Sequence, residues 1–435
     1  MKKRISGKIK FLLMGLIIAL VMAGCSNGDN EAAGQGEGPV EIEFWYGLGG
    51  NLGENMERLI EEFNSSQDEV KVTGVAQGNY TETYQKLQAA IAAKEVPAAV
   101  LMGGTTVNAL AEKEALAPMD SFISEAEEFN KEDFIDSFYS QGQIDEKQYA
   151  LPMYGTTQVM YYRDDVFKEL GISTDDLSNW ETLREAAGKI KEEKGIFGWM
   201  PMWGSGNLVD ASLSRGGTIL NEDGTEVVID SKEWIDTWEF FREAIHEDET
   251  MGIHHSGQGW EYWYKTIDDV MQNRAAGYTG SSGDQGDLDF SIVSAHPQPG
   301  WENSEAAPVA DALLGTITAL APEEEQKAAF KFLTFFTSAE ITADWSVNTG
   351  YIAVRDSAQD APVFQDYAKE NPQILVPLEQ AKTASKPFID PTGGKITDAI
   401  EKAADRVEIE NIPAEEALKE AKAEAQIALE EVLNQ

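Results

Sequence analysis

Apolar and polar residues alternate along the first part of the chain with two different periods. Val40, Ile42 and Phe44 alternate with acidic residues, which is typical of a half-buried strand, and residues 70–75 repeat the pattern. Between and after these stretches, apolar residues recur at helical spacing, and the short apolar run 97–102 ends in two glycines. This βαβαβ order predicts an α/β fold with a parallel, doubly wound sheet.

The same mixed pattern continues to the end of the chain. An extended segment is predicted over residues 149–162, a strand and turn over 275–283, and an apolar strand over 312–321. Helical spacing predicts further helices at residues 166–170, 180–191, 234–245, 262–272, 328–336, 340–347 and 414–433. Roughly 395 residues run from Val40 to the end of the chain, which is more than a single hydrophobic core usually serves. Two lobes are therefore expected.

In a doubly wound sheet, ligands bind beyond the carboxyl ends of the strands. The loops 45–50 and 103–106 follow two of the predicted strands and are rich in glycine. We therefore expect a ligand site at these loops, with the following candidate residues: Trp45, Tyr46, Gly50, Gly104 and Thr105.

The amino terminus has the pattern of an export signal. Basic residues without an acidic one precede the apolar run 11–23, which is too short to span a bilayer comfortably. The run ends in Met22-Ala23-Gly24-Cys25, which resembles a bacterial lipobox with methionine in place of the usual leucine. The alternative is a plain signal peptide with an incidental cysteine.

Cys25 is the single cysteine of the 435 residues, which excludes an intramolecular disulfide and a cysteine metal site. We expect its thiol to be acylated, which would tether the protein to the outer face of the cell membrane. Residues 26–38 are small and polar and cannot form a core. The sequence thus predicts a signal peptide at 1–24 and a flexible linker at 25–39.

The charge excludes one class of partner. The chain has 76 acidic and 34 basic residues, a formal net charge of −42, and such a field repels nucleic acid. Ten tryptophans and thirteen tyrosines are ample for a site that stacks on sugar rings.

Several motifs that suggest chemistry lack the required spacing. The glycines of 47–53 do not match a dinucleotide fingerprint, His254-His255 is a poor metal pair, and 280–283 is no nucleophile elbow. We therefore predict no cofactor, no metal site and no catalytic residue. Carboxylates are too abundant to identify a glycosidase pair, so an exported carbohydrate-active enzyme stays the alternative class. Trp203 lies in a glycine-flanked loop, and both ligand stacking and a structural role remain open.

Several stretches together resemble the family 1 extracellular solute-binding proteins of ABC importers, which include maltose and glycerol-3-phosphate binders. The resemblance spans nearly the whole chain after the predicted signal peptide, in the expected order. It is carried by Glu43-Phe44-Trp45 with Gly49-Gly50, Gly78-Asn79-Tyr80, Leu151-Pro152, Val159-Met160-Tyr161-Tyr162, residues 273–283, residues 331–336 and Asn348-Thr349-Gly350-Tyr351-Ile352. It implies a two-lobed periplasmic-binding-protein-like fold of type II with a ligand cleft between the lobes. It also implies no enzymatic step, a small-molecule ligand, ABC permease subunits as partners, and a monomer.

Within that family, the chain resembles most the branch of the glycerol-3-phosphate binders. The resemblance places these residues at or near ligand-contacting positions: Trp45, Tyr80, Thr156, Trp203, Ser282 and Tyr351. Asp210 and Ser281 complete the set of predicted ligand-binding residues. We expect the rings of Trp203 and Tyr351 to line the cleft without being needed by either core.

Two departures from that branch affect the ligand. An acidic residue of the branch is replaced by Gly104, and its phosphate-binding arginine falls near Ile389-Asp390, where this chain has no arginine. Without that bidentate partner for phosphate, a neutral mono- or oligosaccharide is the favoured ligand. A glycerol-3-phosphate or glycerophosphodiester binder stays the alternative, as does a surface sensor or adhesin of the same fold.

The resemblance also predicts where the lobes begin and end. The N-terminal lobe is expected to comprise residues 40–153 and 314–349, and the C-terminal lobe residues 154–313 and 350–435. Chain crossings between them are expected near Tyr154, Leu313 and Gly350.

Overall fold

The computed structural model describes residues 38–126, 129–381 and 383–434. The strands within them are β1 (Val40–Tyr46), β2 (Val70–Ala76), β3 (Ala99–Gly103), β4 (Gln143–Ile144), β5 (Lys147–Gln148), β6 (Ala150–Arg163), β7 (Gly277–Ser281), β8 (Val293–His296) and β9 (Ala310–Ile317). The helices of the first half are α1 (Gly50–Ser66), α2 (Tyr80–Ala93), α3 (Gly104–Glu112), α4 (Asp120–Glu125), α5 (Asp136–Tyr139), α6 (Asp164–Glu169), α7 (Trp180–Lys194) and α8 (Ser205–Ser214). Those of the second half are α9 (Lys232–His246), α10 (Glu261–Met271), α11 (Glu323–Phe336), α12 (Ala339–Thr349), α13 (Pro362–Glu370), α14 (Leu375–Ala381), α15 (Lys395–Glu408) and α16 (Ala414–Leu433).

The first βαβαβ unit forms as its periodicity predicts. Strand β1 pairs in parallel with β2 on one side and β3 on the other, with Val40 opposite Val70 and Phe44 opposite Ala99. Helix α2 begins after Asn79, whose side chain accepts a hydrogen bond from the backbone N–H of Glu82. The prediction of a parallel doubly wound sheet is confirmed for these three strands.

The rest of the main sheet is antiparallel, and here the prediction of a parallel sheet is wrong. The strand order is β2-β1-β3-β9-β6-β7, with β8 also on β6, and β9 runs against both β3 and β6. The alternation of apolar residues identifies strands but carries no information about their direction. The fold is therefore α/β with a mixed sheet.

Strand β6 is the longest strand and runs through two halves of the sheet. Its first part, from Ala150 to Thr157, pairs with β9, and its second part pairs with β7 and β8. Thr156 lies opposite Asp311 of β9, and Gln158 lies opposite Ser281 of β7. Polar side chains from three strands therefore meet at the middle of β6.

Four clusters of buried apolar residues are divided between the two halves of the sheet that β6 runs through. Two clusters draw on residues between Ile42 and Tyr154 and between Ala310 and Leu378. The other two draw on residues between Val159 and Trp301 and, in one of them, between Ile396 and Leu429. The molecule has two lobes, each with its own core, and β6 connects them.

The predicted lobe boundaries stay a prediction, and the packing differs from them in one region. Phe364, Ile374 and Leu378 pack with the first pair of clusters, although the boundary predicted at residue 350 would put them in the second lobe.

The predicted helices are confirmed, and α16 has the predicted bounds. The helices α3, α4, α5, α8, α13, α14 and α15 were not predicted, because they are short or because glycine or proline precedes or interrupts their apolar periodicity. Over residues 38–126, 129–381 and 383–434, no helix is long and apolar enough to cross a membrane. The predicted signal peptide and Cys25 lie outside the described residues.

Candidate functional site

Four cavities adjoin one another around the middle of β6. The aromatic cavity, about 210 Å³, is lined by Gly47, Leu48, Gly49, Leu52, Tyr80, Thr156, Trp260, Trp263, Tyr264, Ser281, Gly283, Asp284, Asp287, Leu313 and Tyr351. The central cavity, about 490 Å³, is lined by Thr156, Thr157, Gln158, Met202, Trp203, Gly204, Ser205, Gly206, Asn207, Val209, Asp210, Trp263, Ser281, Val309 and Asp311.

The outer cavity, about 440 Å³, is lined by Asn79, Tyr80, Thr81, Trp203, Gly204, Ser205, Gly259, Trp260, Tyr262, Glu401 and Asp405. The inner cavity, about 250 Å³, is lined by Gly104, Thr105, Ser137, Ser140, Gln141, Asp311, Lys386, Pro387, Phe388 and Ile389. The central cavity shares lining residues with each of the others, and the four together are called the cleft below.

Both lobes supply walls of this cleft. In the aromatic cavity, Tyr80 and Tyr351 come from elements of the first lobe, and Trp263 and Ser281 from elements of the second. The rings of Tyr80 and Trp260 meet edge to face, with centroids 6.4 Å apart. A larger cavity of about 760 Å³ near Trp301 shares no lining residue with the cleft.

A buried carboxylate fixes one ring of the aromatic cavity. The indole Nε1 of Trp263 donates to Oδ1 of Asp284 at 2.8 Å, and Oδ2 accepts from the Tyr278 hydroxyl and the Ser281 backbone N–H, each at 3.0 Å. Burial raises the pKa of Asp284 to about 7, although the three donors act in the opposite direction.

Two further carboxylates lie in the central cavity. Asp311 accepts one hydrogen bond, from the backbone N–H of Ala312 at 2.8 Å, and burial raises its pKa to about 6. Asp210 accepts from the side-chain amides of Gln158 and Gln298, at 3.0 and 2.9 Å, and burial raises its pKa to about 7. Asp210 thus orients Gln158, whereas Asp311 retains acceptor capacity toward the cleft.

Helix α15 holds the tryptophan shared by the central and outer cavities. Trp203 donates its indole N–H to Oδ1 of Asp405 at 2.8 Å, and the N–H of Gly204 donates to Oε2 of Glu408 at 3.0 Å. Gly204 has a φ of 107°, a conformation that favours glycine. The ring of Tyr262 meets Trp203 edge to face at 4.8 Å between centroids.

The lining of the cleft is rich in carboxyl groups and poor in basic groups. Its lining contains the carboxyl groups of Asp210, Asp284, Asp287, Asp311, Glu401 and Asp405. Among the described residues that line the four cavities, Lys386 is the only basic one. At the position where the related branch has its phosphate-binding arginine, Ile389 lines the inner cavity and Asp390 is buried, bonded to Thr392 and Thr397.

The structure brings eight of the predicted ligand-binding residues into the cleft. These are Tyr80, Gly104, Thr105, Thr156, Trp203, Asp210, Ser281 and Tyr351. Of the two predicted loops, residues 47–49 do connect β1 to α1, which Gly50 opens, whereas Gly104 opens α3 directly after β3 without a loop.

The remaining four predicted residues lie outside the lining of these cavities. Trp45 donates its indole N–H to Glu43 at 2.8 Å, and the buried Tyr46 hydroxyl bonds to Glu57. Ser282 is buried behind Thr156. Gly50 stands at the rim, where a Cβ would lie 3.1 Å from the Tyr264 hydroxyl oxygen.

Tyr351 belongs to the core as well as to the cavity wall, contrary to the expectation that no core needs it. The residue is 9% exposed, and its ring centroid lies 4.6 Å from that of Tyr154. A Cβ on Gly283 would lie 2.4 Å from the Tyr351 ring, so this glycine makes room for the tyrosine. Trp203 is less buried than Tyr351 and lies outside the buried clusters, as expected.

The sequence reasoning missed most of the aromatic cavity. Trp260, Trp263 and Tyr264 were assigned to a helix or its flank, yet the start of α10 presents these rings to the cleft. Asp284 and Asp311 were not singled out. The dense aromatic run 260–264 directly after two glycines is a signal that could have identified the wall, since a core helix seldom clusters so many rings in one turn.

Comparison with known proteins agrees with this geometry. A family model described as "Bacterial extracellular solute-binding protein" matches residues 58–373. The sn-glycerol-3-phosphate-binding periplasmic protein UgpB of Yersinia enterocolitica is 23% identical over 363 residues, covering 78% of this chain and 80% of that protein.

Two solved structures share the fold. UgpB from Mycobacterium tuberculosis in complex with glycerophosphocholine has a TM-score of 0.81 at 21% identity, covering 92% of this chain and 100% of that one. The ABC substrate-binding protein Lmo0181 from Listeria monocytogenes in complex with cycloalternan has a TM-score of 0.80 at 20% identity, covering 90% and 99%.

Two lobes joined by a long strand, with a cleft walled by both, define a binding protein that holds its ligand between lobes. The chain belongs to the bacterial extracellular solute-binding proteins, the ligand-capturing components of ABC importers.

Proposed function

We propose that the protein binds a carbohydrate, a mono- or oligosaccharide, in the cleft and delivers it to an ABC permease. Pyranose rings have apolar faces that stack on aromatic side chains and hydroxyl edges that pair with carboxylates, amides and hydroxyls. The cleft offers both kinds of surface side by side: Trp203 and Trp263 adjoin Asp311, Gln158 and Ser281.

The observation that carries the proposal is the composition of the lining, with many carboxyl groups and a single basic side chain among the described residues. Six carboxyl groups and one lysine make a poor environment for a phosphate dianion, which needs positive or amide donors to replace its water. Carboxylates accept well from sugar hydroxyls, and Asp311 has the free acceptor capacity for this.

The delivery step follows from the position of the walls. A ligand in the aromatic cavity would touch Tyr80 and Tyr351 of the first lobe and Trp263 of the second, and so would favour the closed arrangement. A permease that recognises the closed form then receives loaded protein. No covalent chemistry is required, and we propose a monomeric binder without a cofactor.

We further propose that Cys25 carries the lipid that anchors the protein to the outer face of the membrane. The support is the single cysteine at the end of a signal-like apolar run. Residues 26–38 would then be the linker between the anchor and the folded lobes.

A glycerophosphodiester is the second candidate ligand, and one feature favours it. The inner cavity combines Lys386 with the N-terminus of α3 at Gly104 and Thr105, where backbone N–H groups and the helix dipole attract an anion. The relatives named for sn-glycerol-3-phosphate and glycerophosphocholine point the same way.

A thermal-shift screen tests the proposal. The protein is heated with neutral and amine-bearing mono- and oligosaccharides, sn-glycerol-3-phosphate and glycerophosphodiesters, and each compound that raises the Tm is then recovered and checked for cleavage. A saccharide at 100 times its Kd would raise the free energy of unfolding by about 2.7 kcal/mol. Recovery of intact saccharide supports a binder, whereas cleavage would indicate a carbohydrate-active enzyme, and a response to phosphates alone would favour the second candidate.

A further inference from the structure

The aromatic cavity presents aromatic side chains and carboxyl groups to a ligand, and no basic side chain among the described residues that line it. Five of its lining residues are aromatic: Tyr80, Trp260, Trp263, Tyr264 and Tyr351. Among the described residues, no lysine, arginine, histidine, asparagine or glutamine contributes to its lining.

Most of its hydroxyl and N–H groups already have protein partners. The Tyr80 hydroxyl lies 3.1 Å from the Tyr154 hydroxyl, and the Thr156 hydroxyl lies 3.2 Å from that of Ser281. The indole N–H of Trp263 is taken by Asp284. A ligand therefore meets aromatic rings and carboxyl groups here rather than basic side chains.

Two carboxyl groups complete the cavity. Asp284 stands behind Trp263, while Asp287 lies at the cavity without a hydrogen bond or ion pair to any other described residue. Asp287 can therefore pair with a ligand group at no cost to an existing contact.

We propose that the aromatic cavity takes a positively charged amine group of the ligand, held by cation–π contact and by Asp287. Aromatic rings attract ammonium groups through their negative faces, and a carboxylate strengthens the attraction where basic side chains are absent. The central cavity, with Gln158, Asn207 and Ser205, takes the hydroxylated remainder. This inference rests on the proposed function, because it concerns the ligand of the same cleft and names one group that this ligand bears, an amine.

The amine could belong to an amino sugar or to a choline-type group, and matched pairs of probes separate charge from shape. Calorimetry compares choline with 3,3-dimethyl-1-butanol, in which carbon replaces the nitrogen, and glucosamine with glucose. At least one amine is expected to bind about ten-fold or more tightly than its neutral partner, the scale of one charged hydrogen bond or cation–π contact. The pair that shows this difference identifies the source.

Two variants test whether Asp287 is responsible for the preference for the amine. Asp287→Asn should weaken binding of that amine about ten-fold and leave its neutral partner unaffected. Asp223→Asn changes a comparably exposed aspartate outside the cleft and should have no effect. Equal binding of the amine and neutral compounds in both pairs, no binding of either amine, or an unchanged affinity in Asp287→Asn would overturn the inference.

These outcomes are separate from those of the proposed function. Tight binding of neutral saccharides with no advantage for an amine would overturn the inference and leave the carbohydrate proposal standing. Binding of choline in the cleft without any response to a saccharide would overturn the carbohydrate proposal and leave the inference standing.

Discussion

The indole N–H of Trp203 and the carboxylate of Asp405 are 2.8 Å apart, which links a ring of the cleft wall to helix α15. The contact fixes the orientation of a ring that lines both the central and the outer cavity.

Replacing Trp203 by alanine should therefore reduce ligand binding more than stability. We expect saccharide affinity to fall by about 1–3 kcal/mol, the scale of burying one large side chain, with a nearly unchanged Tm without ligand. Trp234→Ala is the matched control, because Trp234 is fully buried and its truncation should cost roughly 3–5 kcal/mol of stability. Calorimetry and thermal melting on the same samples measure both effects, and unchanged affinity in Trp203→Ala would remove this ring from the site.

Tyr351 should behave differently, because its ring is shared by the core and the aromatic cavity. Tyr351→Ala is expected to lower the free energy of unfolding by roughly 2–5 kcal/mol, as for other buried large-to-small changes. Tyr351→Phe keeps the ring contact with Tyr154 and should retain most of the stability. Denaturant unfolding of both variants checks this, and a fully stable Tyr351→Ala protein would show that the ring is not part of the core.

Glu408 should make stability depend on pH. Its carboxyl group is buried, and burial raises its pKa from 4.5 to about 8. Between these values the folded state keeps a proton that the unfolded state has lost, so the free energy of unfolding falls by about 1.4 kcal/mol per pH unit as pH rises.

Glu408→Gln tests this contribution, because it keeps an acceptor for the Gly204 N–H and cannot ionise. The variant should gain stability relative to the wild type between pH 5 and pH 8. Asp210, Asp284 and Asp311 contribute in the same direction, so the difference between the two proteins is the informative quantity. Parallel stability curves for the two proteins would show that Glu408 does not titrate in this range.

The variant Cys25→Ser tests whether a lipid on Cys25 anchors the protein to the membrane. If the thiol is acylated, the variant should be released from membranes or remain unprocessed, and labelling with a radioactive or clickable fatty acid should disappear. Normal processing together with retained acyl label in the variant would refute the lipoprotein proposal.

The local elements of the fold could be predicted, whereas the pairing of distant strands could not. Val40, Ile42 and Phe44 alternate strictly, and this pattern is enough to identify β1. Strand β9 lies between β3 and β6 and is antiparallel to both. This arrangement depends on contacts between segments far apart in sequence, which periodicity does not report.

The candidate site, too, could be predicted only where a local sequence motif identifies its residues. Thr156, Trp203 and Tyr351 were identified through family motifs, and the structure brings them to one cleft. Asp311 was missed because a single aspartate at the start of an apolar strand has no local signature; only its pairing with Thr156 on β6 puts it at the centre of the cleft.

The most direct test of the central claim is a calorimetric titration of one protein sample with two ligands. The first is the saccharide that gives the largest thermal shift, and the second is sn-glycerol-3-phosphate. The carboxylate-rich lining predicts saturable binding of the saccharide and no measurable binding of the phosphate. Tight, saturable binding of sn-glycerol-3-phosphate, with no response to any saccharide, would contradict it.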